Sequence, residues 1–300
     1  MHKNNEPTYK IVLKRPGHFL LCVIKGFKAN QGLLLSGAVA YYTLLSIIPL
    51  FILLLIALSN VVEEAHLLAT LSRYLGLVFP GKADAMIGEI ATFLENRDLI
   101  GWVLIAVMLF FSSMAFTMLE NAMSVIFFHR VQIRRRHFLV SAVIPYLFIL
   151  MLGIGFLAVT VIAGALLAVK ETHLSLLGQN WSLGGLTSML LYLIGFGGQV
   201  LMLTAIYMVM PVGKLLLRHA LIGGVAAGLM WEITRHVLVW YFSTLSLINV
   251  VYGSLATVIV ALLSLEIAGM ILLLGAQVIA EYERLAVEGD NDAPAEGIST

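Results

Sequence analysis

Six long apolar stretches, at residues 32–60, 99–127, 138–169, 186–210, 219–243 and 255–280, restrict this chain to one kind of environment. Each can cross a hydrocarbon core about 30 Å thick, which takes roughly 20 helical residues. No Asp, Glu, Lys or Arg falls between Lys28 and Glu63, between Arg136 and Lys170, or between Glu171 and Lys214. Soluble core helices rarely stay uncharged that long. With 60% hydrophobic and 12% charged residues, a water-soluble globule would also lack the polar surface to cover itself. The chain therefore reads as all-α, a polytopic six-helix transmembrane bundle. Its net charge of +1 points to no polyanionic partner, and the single Cys22 cannot form an internal disulfide.

Basic residues beside a span are retained on the cytoplasmic side. Lys3, Lys10, Lys14, Arg15, Lys25, Lys28, Arg130, Arg134, Arg135, Arg136, Lys214, Arg218 and Arg284 put thirteen on one side, against Arg73, Lys82, Arg97 and Lys170 on the other. Six crossings with both termini cytoplasmic follow. No cleaved export signal is expected, because the first span is too long for a signal h-region.

Three regions are expected: a cytoplasmic segment at 1–31, a membrane domain at 32–280 and an acidic tail at 281–300. Within 1–31, Phe19, Leu20, Val23, Ile24 and Phe27 share one helical face and His18, Lys25 and Lys28 the other. That pattern predicts an amphipathic helix on the inner membrane surface. The external segment 61–98 carries two apolar stripes, Leu67, Leu68, Leu71, Tyr74, Leu75 and Val78, then Met86, Ile87, Ile90 and Leu94, parted by Pro80-Gly81. A helical hairpin is predicted there. The tail, with Glu281, Glu283, Glu288, Asp290, Asp292 and Glu296 among small residues, reads as a solvated end, disordered past about residue 287.

Polar residues within the spans carry the functional information. Ser113, Thr117, Glu120, Asn121 and Ser124 fall on one face of span 2; Ser188, Tyr192, Gly195 and Gln199 line span 4; Ser36, Tyr42, Thr43 and Ser46 cluster in span 1. Three such stripes suggest a shared polar interior, although interhelical hydrogen bonding explains any one of them. In span 5, Glu232 and Arg235 stand three residues apart with His236 beside them, so an intrahelical ion pair is expected. Intramembrane ionisable groups otherwise mark ion, proton or substrate paths. Glu120, Glu232 and Glu266 outnumber the single Arg235, and surplus acids in low dielectric take up protons, so a proton-responsive site is expected. Glu266 lies about 200° from Ser264 on an ideal helix, so span 6 cannot aim both at one cavity.

Pro49 and Gly195 are the expected hinges. Gly224 and Gly228 form a GxxxG pair that allows close helix approach. Arg130, Arg134, Arg135 and Arg136 are expected to contact anionic lipid head groups. The short basic loop lacks the breadth and the stacking aromatics of a nucleic-acid surface.

Ala40-Tyr41-Tyr42-Thr43-Leu44-Leu45-Ser46 with Pro49, Asn121, Tyr207 with Pro211, Trp231-Glu232, Tyr252-Gly253 and Leu274-Gly275-Ala276 together resemble the YihY/BrkB family of bacterial inner-membrane proteins, the UPF0761-like proteins once labelled ribonuclease BN. The resemblance covers about residues 18–283. Where that family often has Trp, near Leu262-Leu263, this chain continues Ser264-Leu265-Glu266, so Glu266 is not carried over from the family. What the resemblance implies is a six-helix inner-membrane protein, with envelope lipid transport and serum resistance among its proposed roles.

The preferred expectation is translocation of a lipid or small solute along a polar path, with Glu232 and Arg235 central and Glu120 at the inner mouth. A scaffolding envelope protein is the alternative. An intramembrane enzyme or ribonuclease ranks last, because no nucleophile and base stand at catalytic spacing and no metal-ligand motif occurs. No cofactor and no metal are expected. Partners are membrane lipids and the unidentified substrate, with no nucleic acid; homo-oligomerisation is left open.

Overall fold

The computed structural model describes residues 12–78, 83–96, 102–127, 184–211, 215–244 and 256–291, with scattered positions between 147 and 164. The long helices are α1 (Pro16–Ala29), α2 (Gly32–Ser59), α3 (Glu64–Val78), α4 (Ala83–Glu95), α5 (Trp102–Ile126), α6 (Gly184–Val209), α7 (Leu217–Thr244) and α8 (Ala256–Asn291). No strand occurs among the described residues. The basic cluster Arg130 to Arg136, most of the expected third span and residues 292–300 lie outside them.

Four helices are long and apolar enough to cross a membrane: Gly32–Ser59, Ile105–Ile126, Met189–Val209 and Ile259–Ala286. At most 28% of the apolar window of any of them is buried, so most of that surface needs lipid rather than protein to cover it. α7 matches α2 in length at 28 residues. Arg218, His219, Glu232, Arg235 and His236 reduce its apolar character, which is why it falls outside the four despite its length.

Two compact units are present, one made of Met1–Ala40 with Met118–Thr300 and one of Tyr41–Thr117. In the smaller unit α3 packs on α4, around buried Leu55, Leu67 and Leu94 with Val62, Leu68, Leu71, Ile90 and Phe93 against them. The two predicted stripes thus form the two halves of a hairpin, while Tyr74 and Met86 from those stripes stay exposed. Ser46 is buried in the same unit. Its hydroxyl hydrogen is shared between the carbonyls of Tyr42 (2.6 Å) and Phe111 (2.9 Å), and its oxygen accepts from the Ala115 N–H at 3.1 Å. The Ser46 side chain therefore meets both the Phe111 carbonyl and the Ala115 N–H of α5, four residues apart.

In the larger unit α7 packs between α6 and α8. One side of α7 meets α6 through its small residues: a methyl on Gly224 would collide with Thr204 Oγ1 and stand 2.9 Å from the Val200 carbonyl, and one on Gly228 would reach Val200 Cγ2 at 3.0 Å and Phe196 at 3.6 Å. The other side meets α8, where Gly223 fronts Ile279 and Gly275, and Gly275 fronts Ala227 and Tyr207. Tyr207 is fully buried and donates its hydroxyl to the Leu272 carbonyl at 2.8 Å, tying α6 to α8.

α8 departs from the expected tail. It continues through Asn291, beyond the order limit expected near residue 287. Glu283, read as solvated, is 4% exposed and lies 2.7 Å from His219 Nδ1. The cause is a partner 64 residues away at the start of α7, which no local polarity count can supply. α1 forms as an amphipathic helix, but it packs on α8, with Gly26 against Gln277 and Glu281 and Val23 buried, whereas Leu20, Leu21 and Ile24 stay exposed.

Candidate functional site

The α6–α7 contact positions the charged residues in the second half of α7. Thr204, Val200 and Phe196 on α6 face Gly224 and Gly228 on antiparallel α7, each set recurring every four residues. One further step along both helices brings Tyr192 to Glu232, and Tyr192 Oη donates to Glu232 Oε1 at 2.8 Å. The small residues that let the backbones approach are thus what allow this bond.

Glu232 is also held from its own helix. Arg235 donates through Nη2 to Oε1 at 2.5 Å and through Nε to Oε2 at 3.2 Å, the two-pronged geometry that suits guanidinium to carboxylate. His236 Nδ1 is 2.8 Å from the Glu232 carbonyl oxygen and 3.7 Å from its carboxylate. The carboxylate is the inner member of the group, with its side chain 17% exposed, against 53% for Arg235 and 69% for His236. A fixed negative charge thus underlies an accessible positive one, an arrangement able to exchange one anion for another at Arg235.

The other expected residues have their own local surroundings. Gln199 lies two turns along α6 from Tyr192, and its Nε2 is buried without a hydrogen-bond partner among the described residues. Such a donor costs about 1–3 kcal/mol when left unsatisfied. Glu120 is half-buried, its backbone carbonyl accepting from Ser124 Oγ at 2.8 Å, and Asn121 is exposed. Glu266 is half-buried beside Gly37 of α2, where a methyl would stand 3.8 Å from its Oε1. Tyr42 stacks edge-on with Tyr41, and Ser46 belongs to the α2–α5 junction of the smaller unit. Pro49 lies inside an unbroken α2, and Gly195 is exposed, where an added methyl would meet no side chain or other helix within 4 Å. No three His, Cys, Asp or Glu side chains gather as metal ligands among the described residues.

The model of the family described as virulence factor BrkB matches residues 23–298. The chain belongs to the BrkB family. Among curated relatives of this BrkB-family protein, a UPF0761 membrane protein of Azotobacter vinelandii is 27% identical over 84% of the chain and 60% of its own length. Another from Haemophilus influenzae is 25% identical over 89% of the chain and 96% of its own length. One from Aeromonas salmonicida is 27% identical over 89% and 91% respectively. No solved structure matches. The chain is a membrane protein, as its four long apolar helices and these relatives indicate.

Sequence reasoning missed two polar groups near the ends of the helices in this BrkB-family chain. Asn30 Nδ2 donates to Gln277 Oε1 at 2.9 Å, linking the α1–α2 turn to α8. His219 and Glu283 link α7 to α8, with Tyr282 edge-on to the imidazole at 5.5 Å. Gln277, a lone amide after the apolar run from Ile267 to Ala276, was the available signal for the first.

Proposed function

We propose that this protein translocates a lipid or small anionic solute across the bacterial inner membrane, using Tyr192, Glu232 and Arg235 as its central binding group. The carrying observation is the two-pronged Glu232–Arg235 pair, braced by Tyr192 and presenting an accessible guanidinium on the α6–α7 pair. Charged groups at that depth are costly and mark transport paths by default. On this reading α7 and the third apolar stretch complete six crossings, and both termini are cytoplasmic. An anionic group approaching Arg235 displaces Glu232, which remains held by Tyr192; protonation of Glu232 favours the exchange. No chemical bond changes, so the protein is read as a non-enzyme.

Scaffolding is the second reading, favoured by Ser46, whose hydroxyl is committed to the α2–α5 junction. Purified protein in vesicles separates the two when movement of a head-group-labelled anionic lipid between leaflets is followed by external quenching. Transport predicts wild-type movement that is lost in the Glu232→Gln/Arg235→Gln double variant at equal reconstitution. Wild-type vesicles no faster than protein-free ones would leave scaffolding.

A further inference from the structure

A cleft of about 400 Å³ opens where α1, the end of α5 and α8 meet, all within the larger unit. Asn30, Gln277, Glu281 and Arg284 form its polar wall, and Val125 and Ile126 contribute an apolar one. The volume lies within the range of small-ligand sites, about 300–1,000 Å³. Gln277 is 3% exposed, yet both ends of its amide are used. Asn30 donates to its Oε1 at 2.9 Å, and its own Nε2 donates to Glu281 Oε1 at 3.3 Å. This relay orients the amide and fixes the Glu281 carboxylate at the cleft, where it can accept further donors.

Two backbone features serve the same arrangement. A methyl on Gly26 would overlap Gln277 Nε2 and come within 2.8 Å of Glu281 Oε1, so glycine keeps the polar wall clear. Gln31 adopts φ 53°, left-handed backbone uncommon outside glycine. The turn it makes is closed by the Asn30 N–H on the Gly26 carbonyl at 2.9 Å and the Gln31 N–H on the Lys28 carbonyl at 3.1 Å. That turn directs Asn30 to Gln277.

Glu281 and Arg284 stand one helical turn apart, so a carboxylate and a guanidinium front the same space. Their complement is a zwitterion with a cation and an anion a few ångströms apart. Val125 and Ile126 end the apolar run of α5, Asn30 lies two residues before that of α2, and Glu281 and Arg284 fall within the last two turns of that of α8. The cleft therefore sits at the depth where hydrocarbon gives way to head groups.

We propose that this cleft binds the phosphoethanolamine head group of a membrane phospholipid, with the ammonium on Glu281, the phosphate at Arg284 and the glycerol end toward Val125 and Ile126. A phosphatidylglycerol head offers Glu281 no cation and is disfavoured there. The residues are separate from Tyr192, Glu232 and Arg235, so the site stands or falls independently of transport.

Native mass spectrometry of the full-length protein, titrated with phosphatidylethanolamine or phosphatidylglycerol of identical acyl chains, tests this. The wild type is expected to retain phosphatidylethanolamine about tenfold better, the scale of one charge-assisted bond. Glu281→Gln abolishes that preference, Arg284→Gln weakens retention of both lipids, and Met86→Gln on the hairpin changes neither. Gly26→Val fills the cleft without altering charge and loses the preference too, which keeps the test sound should Glu281→Gln fail to fold. Equal retention of both lipids by the wild type, or an unchanged preference in both Glu281→Gln and Gly26→Val, overturns the proposal. Soluble O-phosphoethanolamine binding as tightly as the lipid would overturn the lipid source.

Discussion

Replacing Gly224 with alanine tests whether the close approach of α6 and α7 holds the charged group together. The added methyl would collide with Thr204 Oγ1, stand 2.9 Å from the Val200 carbonyl oxygen and 3.2 Å from the Thr204 nitrogen. The hydroxyl could rotate away only by giving up its 2.7 Å bond to the Val200 carbonyl, worth about 1 kcal/mol. The other two atoms are backbone and cannot rotate. Ordinary contact begins at 3.4 Å, so the helices must part by 3.4 − 2.9 = 0.5 Å at Val200. Overpacking of this kind costs about 1–3 kcal/mol. Two turns along, the same separation acts on the Tyr192–Glu232 bond. Gly195→Ala is the control, on the same helix pair and with open space around it. Thermal unfolding in detergent should show Gly224→Ala melting below wild type and Gly195→Ala at or above it. Disulfide formation between Tyr192→Cys and Glu232→Cys, with Cys22 replaced by Ser, should slow when Gly224→Ala is added. Wild-type melting and an unchanged cross-linking rate in Gly224→Ala would refute the seam as the element that positions the site.

Other perturbations address separate links. Ser46→Ala should lower stability by about 0.5–1.5 kcal/mol, because it removes the hydroxyl's bonds to the Phe111 carbonyl and the Ala115 N–H; chemical unfolding measures it. Leu94→Ala empties a position only 1% exposed in the hairpin core, so protease cleavage within 61–98 should accelerate, consistent with a loss of about 2–5 kcal/mol. His219→Ala removes the 2.7 Å partner of buried Glu283 and should loosen the end of α8, seen as faster amide exchange over 281–291, whereas Glu283→Gln, which keeps a polar side chain without the charge, should loosen it less.

The helices and the hairpin were legible in the sequence because each depends on a local period: uncharged runs of span length, apolar stripes of period 3.6, and a breaker at Pro80-Gly81. The GxxxG pair was equally legible, and its spacing carried over to Glu232. What escaped were contacts set by distant partners. Glu283 looks solvated until His219 is beside it, and Asn30 meets Gln277 across 247 positions. Polarity alone also named no partners: Ser46 serves the α2–α5 junction and Glu232 the α6–α7 seam. A polar stripe reports only that a face needs partners, without naming them.

The account rests on Arg235 reaching water within the membrane rather than lipid. Cysteine substitution at Arg235 and, separately, at Ile233, which is 66% exposed on the same helix, measures this through the rate of labelling by a charged maleimide in intact vesicles. Rapid labelling at position 235 with little at 233 is the predicted result. Equal and negligible labelling at both would place the guanidinium among acyl chains and contradict a hydrated binding group.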